Sequence, residues 1–181
     1  MTTFDITTTI TECQTDELTA DEHLLVERAI LATDKSYAPY SNFHVGAALM
    51  LADGTIVEGC NQENAAYPVC ICAERSALFA AGAQHPDQPV TMMAIAARNA
   101  EGHLQKEPVT PCGSCRQALV ETETRFRRPV RLLLYGQRCV YIVDDIRQLM
   151  PLTFTEYYIS LHHLVFPHSL SATQQKHDKE S

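Results

Sequence analysis

Two short runs of residues carry chemistry. Cys112-Gly-Ser-Cys115 places two thiols three residues apart, on one face of a first helical turn. Such a pair alone is compatible with redox chemistry, half of a structural zinc site or a catalytic metal site. Cys72-Ala-Glu74 lies upstream, at the start of another expected helix. A thiolate from Cys72 would give a zinc ion three protein ligands. Catalytic zinc sites keep a fourth position for water, whereas structural sites fill it with protein. No histidine stands within four residues of Cys72, Cys112 or Cys115 to close the tetrahedron locally. Glu74, two residues beyond a ligand, is near enough to act on a molecule in that fourth position as a general acid and base. Arg75 and Arg116 directly follow these runs and can offset the charge of three thiolates, as can the helix starts themselves.

These residues need elements to hold them. Residues 1–17 are polar and Thr-rich and read as a flexible arm. Thr19-Ala-Asp-Glu22 has the form of a capping box, and the apolar spacing after it predicts a helix ending near Lys35. Tyr37-Ala-Pro-Tyr-Ser-Asn42 is a turn-rich stretch. Phe43 to Leu51 reads as a strand, Ala52-Asp-Gly54 as a hairpin turn and Thr55 to Cys60 as the returning strand. Cys72 to Ala83 and Cys112 to Thr122 read as helices, and Pro89 to Ala97, Val130 to Tyr135 and Cys139 to Val143 as strands. Asp144 to Met150 reads as a short helix stopped by Pro151. Helices alternating with apolar strands imply a sheet layered between helices.

Composition narrows the function. The chain has 181 residues, 45% of them hydrophobic, and a formal net charge of −8. A polynucleotide-binding domain needs a basic face, and the basic run Arg125 to Arg131 reads as a solvated loop before a strand. A small or neutral substrate is expected, and no nucleic acid polymer or membrane. Seven cysteines without a basic, apolar leader argue against a disulfide framework and for a cytoplasmic protein.

Cys72-Ala-Glu74 with Pro111-Cys-Gly-Ser-Cys115 is similar to the zinc deaminase pattern, H-x-E then P-C-x-x-C, in its three-cysteine variant. Three further runs extend the likeness: Pro39-Tyr-Ser-Asn-Phe-His-Val-Gly-Ala-Ala48, Gly59-Cys-Asn-Gln-Glu-Asn-Ala-Ala-Tyr-Pro68 and Leu149-Met-Pro-Leu-Thr-Phe154. Over residues 18–155 the chain resembles the small cytidine deaminases. The resemblance implies an α/β fold, a three-layer α/β/α sandwich around a mixed five-stranded sheet, and one Zn²⁺ per subunit. It implies that Cys72, Cys112 and Cys115 ligate the zinc, that Glu74 moves the protons and that Arg75 donates to a thiolate. Phe43 would stack on the pyrimidine, while Asn61 and Glu63 bind the ribose. Ala65, Tyr67 and Phe154 would complete a neighbouring subunit's pocket in a homotetramer. The implied reaction is deamination of cytidine and deoxycytidine in pyrimidine salvage.

Cys70 and Gln62 depart from the pattern, where the family has a small or hydroxyl residue and an apolar one. Residues 156–181 form an extension beyond the common family length, its last ten residues reading as disordered. Two rivals remain at this point: a deaminase of a cytosine-nucleoside antibiotic of the blasticidin type, and a non-catalytic zinc protein on the same fold. Asn61, Glu63 and Tyr67 favour the ordinary nucleoside over the first, and Glu74 argues against the second.

Overall fold

The computed structural model describes residues 1–155; the extension 156–181 lies outside the described residues. In chain order the elements are β1 (Thr11–Cys13), α1 (Ala20–Ala32), β2 (His44–Leu51), β3 (Ile56–Cys60), α2 (Ala73–Gln84), β4 (Val90–Arg98), α3 (Gly113–Phe126), β5 (Arg131–Tyr135) and β6 (Val140–Val143). They form a mixed sheet in the order β1-β6-β5-β4-β2-β3. Among the described strands β4 and β5 alone pair in parallel; the other neighbouring pairs are antiparallel.

Two cores define the layers. On one face Leu25, Val26 and Ala29 of α1 pack against Ala48, Ala94, Leu133 and Ile142. On the other, Ala73, Ala77, Leu78 and Ala81 of α2 and Leu119 and Val120 of α3 cover Leu49, Met93, Ile95, Leu132 and Leu134. This is the expected three-layer α/β/α sandwich, with one addition. Among the described residues the sheet has six strands rather than five. Residues 11–13, within the stretch read as a flexible arm, pair with Val140–Ile142 on the open edge of β6. The Thr9 N–H donates to Gln148 at 2.8 Å and ties the approach to that strand. An unpaired edge leaves backbone groups seeking partners, and Thr-Glu-Cys suffices because it needs to satisfy only three residues of β6.

Local signals explain most boundaries. The Thr19 hydroxyl accepts from Glu22 N while the Glu22 carboxylate accepts from Thr19 N at 2.9 Å, the reciprocal capping box. α1 gives way to a 3-10 turn at Thr33–Lys35. The segment 144–150 forms only a 3-10 turn, Ile146–Gln148, rather than a full helix. No helix among the described residues is long and apolar enough to cross a membrane.

The topology decides where α2 and α3 begin. β2 is antiparallel to both β3 and β4, so β3 and β4 run in the same direction, and β5 runs with them. The crossovers β3-α2-β4 and β4-α3-β5 step the same way across the sheet. Crossovers of one hand then place both helices on one face. Each helix starts beyond the carboxyl end of a parallel strand, the edge where α/β sheets hold ligands. Close packing brings α2 down onto β3: a Cβ on Gly59 would lie 2.4 Å from Ala77 N and 2.6 Å from Ala73 O.

Candidate active site

Cys72 is the N-cap of α2 and Cys112 the N-cap of α3, with Cys115 in the first turn of α3. The three Sγ atoms all lie within 4.8 Å of one another. Cys72 and Cys112 sulfurs are 3.8 Å apart, and Cys112 and Cys115 are 3.5 Å apart. Tetrahedral zinc with Zn–S bonds of about 2.3 Å separates its sulfurs by roughly 3.8 Å. The donor set therefore fits zinc in both chemistry and spacing. All three thiols sit at helix starts, where the dipole favours an anion.

The Arg75 Nη2 donates to Cys72 Sγ at 3.7 Å. A hydrogen bond from Cys115, working against partial burial and helped by Arg75, holds the Cys72 thiol down to about 5. The same hydrogen bond, reinforced by burial, pushes Cys115 up. A bound cation would need all three sulfurs as thiolates, so metal binding and proton release are coupled here. Arg116 behaves differently from Arg75. It donates to the carbonyls of Pro111 at 2.8 Å and Leu149 at 2.7 Å, so it braces backbone rather than sulfur.

Glu74, only 5% exposed, lines the same pocket as Cys72 and Cys112. Burial pushes its carboxyl above the usual range, the neighbouring Cys72 adding to the effect. A carboxyl poised closer to neutrality is suited to accepting and returning a proton.

The pocket has a volume of about 650 Å³ and continues from the sulfurs to Phe43, Asn61 and Glu63. Asn61 is half-buried and works as a staple. Its Oδ1 accepts from Val45 N at 2.8 Å and its Nδ2 donates to Phe43 O at 2.9 Å. Glu63 accepts from the Tyr40 and Ser41 backbone N–H groups and from the Ser41 hydroxyl.

Of the residues expected to complete a neighbouring pocket, Tyr67 borders this one and Ala65 and Phe154 lie apart from it. Tyr67 is exposed at the rim of its own chain's pocket, edge-on to Tyr40 with ring centroids 6.0 Å apart. Ala65 and Phe154 are exposed and do not line this pocket; the Phe154 carbonyl accepts from Gln117 at 2.9 Å. The sequence reading missed Ser41, Ile95, Val109 and Thr110, all in the lining. Ile95 is indistinguishable from a core strand residue in sequence. Ser41 and Thr110 could have been found from their position beside Phe43 and the Pro111-Cys motif. Cys70, the departure noted above, also lines the pocket, and its sulfur accepts from Asn64 N at 3.2 Å.

Comparison with known proteins gives one family. The model of the cytidine and deoxycytidylate deaminase zinc-binding region matches residues 19–128, a span holding Glu74 and all three clustered cysteines. A cytidine deaminase of Halalkalibacterium halodurans is 43% identical over 101 residues, covering 56% of this chain and 71% of that one. One from Mycobacterium tuberculosis is 37% identical over 114 residues, 61% of this chain and 80% of that one. Among solved structures, cytidine deaminase from Burkholderia pseudomallei superposes with a TM-score of 0.64 at 38% identity, covering 76% of this chain and all of that one.

Proposed function

This chain belongs to the cytidine and deoxycytidylate deaminase family, and on that premise we propose how its pocket carries out the reaction. The enzyme deaminates cytidine, with zinc as its cofactor. Deoxycytidine is the second substrate in this reading, and the products are uridine, deoxyuridine and ammonia. The observation that carries the assignment is the burial of Glu74 in one pocket with Cys72 and Cys112, whose sulfurs cluster with that of Cys115 within 4.8 Å.

Cys72, Cys112 and Cys115 would hold the zinc, which when bound supplies a Lewis acid that brings the pKa of water toward neutrality. Three thiolates leave that centre with a net negative charge, and Arg75 reduces it by donating to Cys72. Hydrolysis exchanges the C4–N bond of cytosine for a C4–O bond. Glu74 takes a proton from the entering water and delivers it to N3 of the ring; it then takes the remaining proton from the new C4 hydroxyl and passes it to the amine, which leaves as ammonia as the C4–N bond breaks. Its burial raises the carboxyl's proton affinity and so suits it to taking up these protons and returning them. Phe43 offers its ring to the flat base, and Glu63 and Asn61 take the sugar hydroxyls. Walls completed by a neighbouring subunit would exclude bulk water and hold C4 against Glu74.

In the same reading the active unit is a homotetramer whose Ala65, Tyr67 and Phe154 help wall a neighbouring pocket. Support comes from the family resemblance and from Tyr67, Val69 and Phe79 being exposed on the single chain. We place the enzyme in the cytoplasm, in pyrimidine salvage.

The test is direct. Purified protein incubated with cytidine should release ammonia as the cytosine absorbance falls. Complete inertness toward cytidine and deoxycytidine, with zinc bound, would sink the assignment. Mixing Glu74→Gln with Phe154→Ala subunits should restore part of the activity; a fully active monomer would rule out shared sites.

A further inference from the structure

Ser41 stands between the two residues that grip the two halves of the substrate. Its Oγ donates to Glu63 Oε1 at 2.5 Å and accepts the Phe43 N–H at 3.1 Å. Its backbone N–H reaches Glu63 Oε2 at 3.3 Å, beside the Tyr40 N–H at 2.9 Å. One side chain thus links a loop carboxylate to the backbone of the base-stacking residue 20 positions away in sequence.

The link is reinforced from both sides. Asn42, between Ser41 and Phe43, has φ +52°, a left-handed residue that turns the chain sharply, and its N–H donates to Ala38 O at 3.0 Å. The Glu63 N–H donates to Tyr37 O at 2.8 Å, so the loop and Glu63 are held by backbone as well. Asn61 fixes Phe43 from the other side.

Lone-pair counting shows what the link does for binding. A carboxylate offers about four acceptor sites. Tyr40 and Ser41 N–H groups take both on Oε2, and the Ser41 hydroxyl takes one on Oε1. A single site on Oε1 remains for a sugar hydroxyl. Without the Ser41 hydroxyl, Oε2 keeps its two backbone donors but Oε1 loses the donor that fixes the direction of its free lone pair. The Ser41 hydroxyl is also the main cause holding the Glu63 carboxyl below its usual range, which keeps it an acceptor.

We infer that Ser41 is a positioning residue that aims one acceptor of Glu63 at the sugar and fixes that acceptor relative to the Phe43 ring. The inference rests on the cytidine deaminase reading. Ser41 contacts Glu63 and Phe43 and none of the clustered thiols, so its effect belongs in substrate binding rather than in turnover.

The experiment compares Ser41→Val with Ser41→Thr, which have the same shape but differ in the hydroxyl. Ser41→Val should raise KM for cytidine by about tenfold, the scale of a lost hydrogen bond to a charged group, with kcat within about twofold. Ser41→Thr should return KM to near the wild-type value. In a Glu63→Gln background, Ser41→Val should add much less than its tenfold, because the two act as one unit. An unchanged KM in Ser41→Val, an effect on kcat alone, failure of threonine to rescue, or full additivity with Glu63→Gln overturns the assignment. If Ser41→Val lowers the melting temperature, Ser41→Ala, which can only remove atoms, gives the same readings under the same criteria. Wild-type protein inert toward cytidine overturns the functional reading and this inference together; a null result at Ser41 in an active enzyme overturns the inference alone.

Discussion

The two ends of the pocket are built by different means. At the sulfur end, Cys72 and Cys112 are helix N-caps, Cys115 is fully buried, and Glu74 sits in the first turn of α2. Every reacting group there rides on a helix packed against the sheet. At the sugar end, Ser41 lies in a turn and the stretch after Gln62 is irregular up to one 3-10 turn at Tyr67–Val69, and Tyr40, Tyr67 and Val69 are exposed. Order there comes from hydrogen bonds rather than packing: Asn61 stapled to β2, and Glu63 held by Tyr40 and Ser41. Proton transfer tolerates little misplacement, because rate falls steeply with geometry. Recognition of a sugar needs a few directed acceptors and a way in. Rigid elements suit the first task and loops the second.

That contrast can be broken or sharpened by substitution. The largest effect is expected at the sulfur end. Cys112→Ser, or prolonged chelation, should remove zinc and nearly all activity; full turnover with no metal on elemental analysis would contradict the metal centre. Glu74→Gln comes next. It should keep zinc and the fold but lose roughly 10²–10⁴-fold or more in kcat, the loss typical of a missing acid/base. Near-normal turnover would show that another group moves the protons.

Arg75→Gln removes no ligand and should cost about 10–100-fold in activity or zinc affinity, the usual scale for a group that supports a ligand. Unchanged kcat and unchanged zinc affinity would make the Arg75–Cys72 contact incidental.

The smallest effect lies on the far face, in α1. Glu22 is buried, yet despite that desolvation, hydrogen bonds from Thr19 and the pairing with Arg131 at 2.7 Å hold its carboxyl below its ordinary 4.5. A depressed carboxyl contributes stability that is present above that ordinary value and lost as pH falls through the depressed one. Wild-type stability should therefore drop below about pH 4.5. Glu22→Gln should be less stable at neutral pH by about 1 kcal/mol, the usual scale of a lost helix cap, and should show a shallower acid decline. Zinc content and turnover per folded molecule should not change. Identical acid unfolding curves for the two proteins would show that Glu22 is not linked to stability, and a fall in turnover would join the two faces.

Much of this was legible in order along the chain. Thr19 and Glu22 announced α1 because a capping box is a local device whose partners are three residues apart. Cys72 and Cys112 announced helix starts, and Cys112-Gly-Ser-Cys115 already carried its own spacing. The edge strand Thr11–Cys13 was not legible. Its pairing with Val140–Ile142 spans well over a hundred residues and leaves no periodic signal in three positions. The expected helix over 144–150 shrank to a 3-10 turn; there the Asp145 side chain takes the Arg147 N–H at 2.8 Å and the buried Glu123 carboxylate takes the Ile146 N–H at 3.1 Å.

By itself, the sequence determined the donor types, the carboxylate beside them and the elements on which each would sit. Those are properties of neighbours, fixed by side-chain chemistry and helix or strand periodicity. Only the tertiary structure decided that Cys72 and Cys112, 40 residues apart, come within 3.8 Å, and that Arg75 turns to sulfur while Arg116 turns to backbone carbonyls. Ser41 and Glu63, 22 residues apart, likewise meet only in the fold. The physical reason is the sheet. Strands β3, β4 and β5 run in one direction, so the two helices that follow β3 and β4 start at the same edge, and their N-caps meet there.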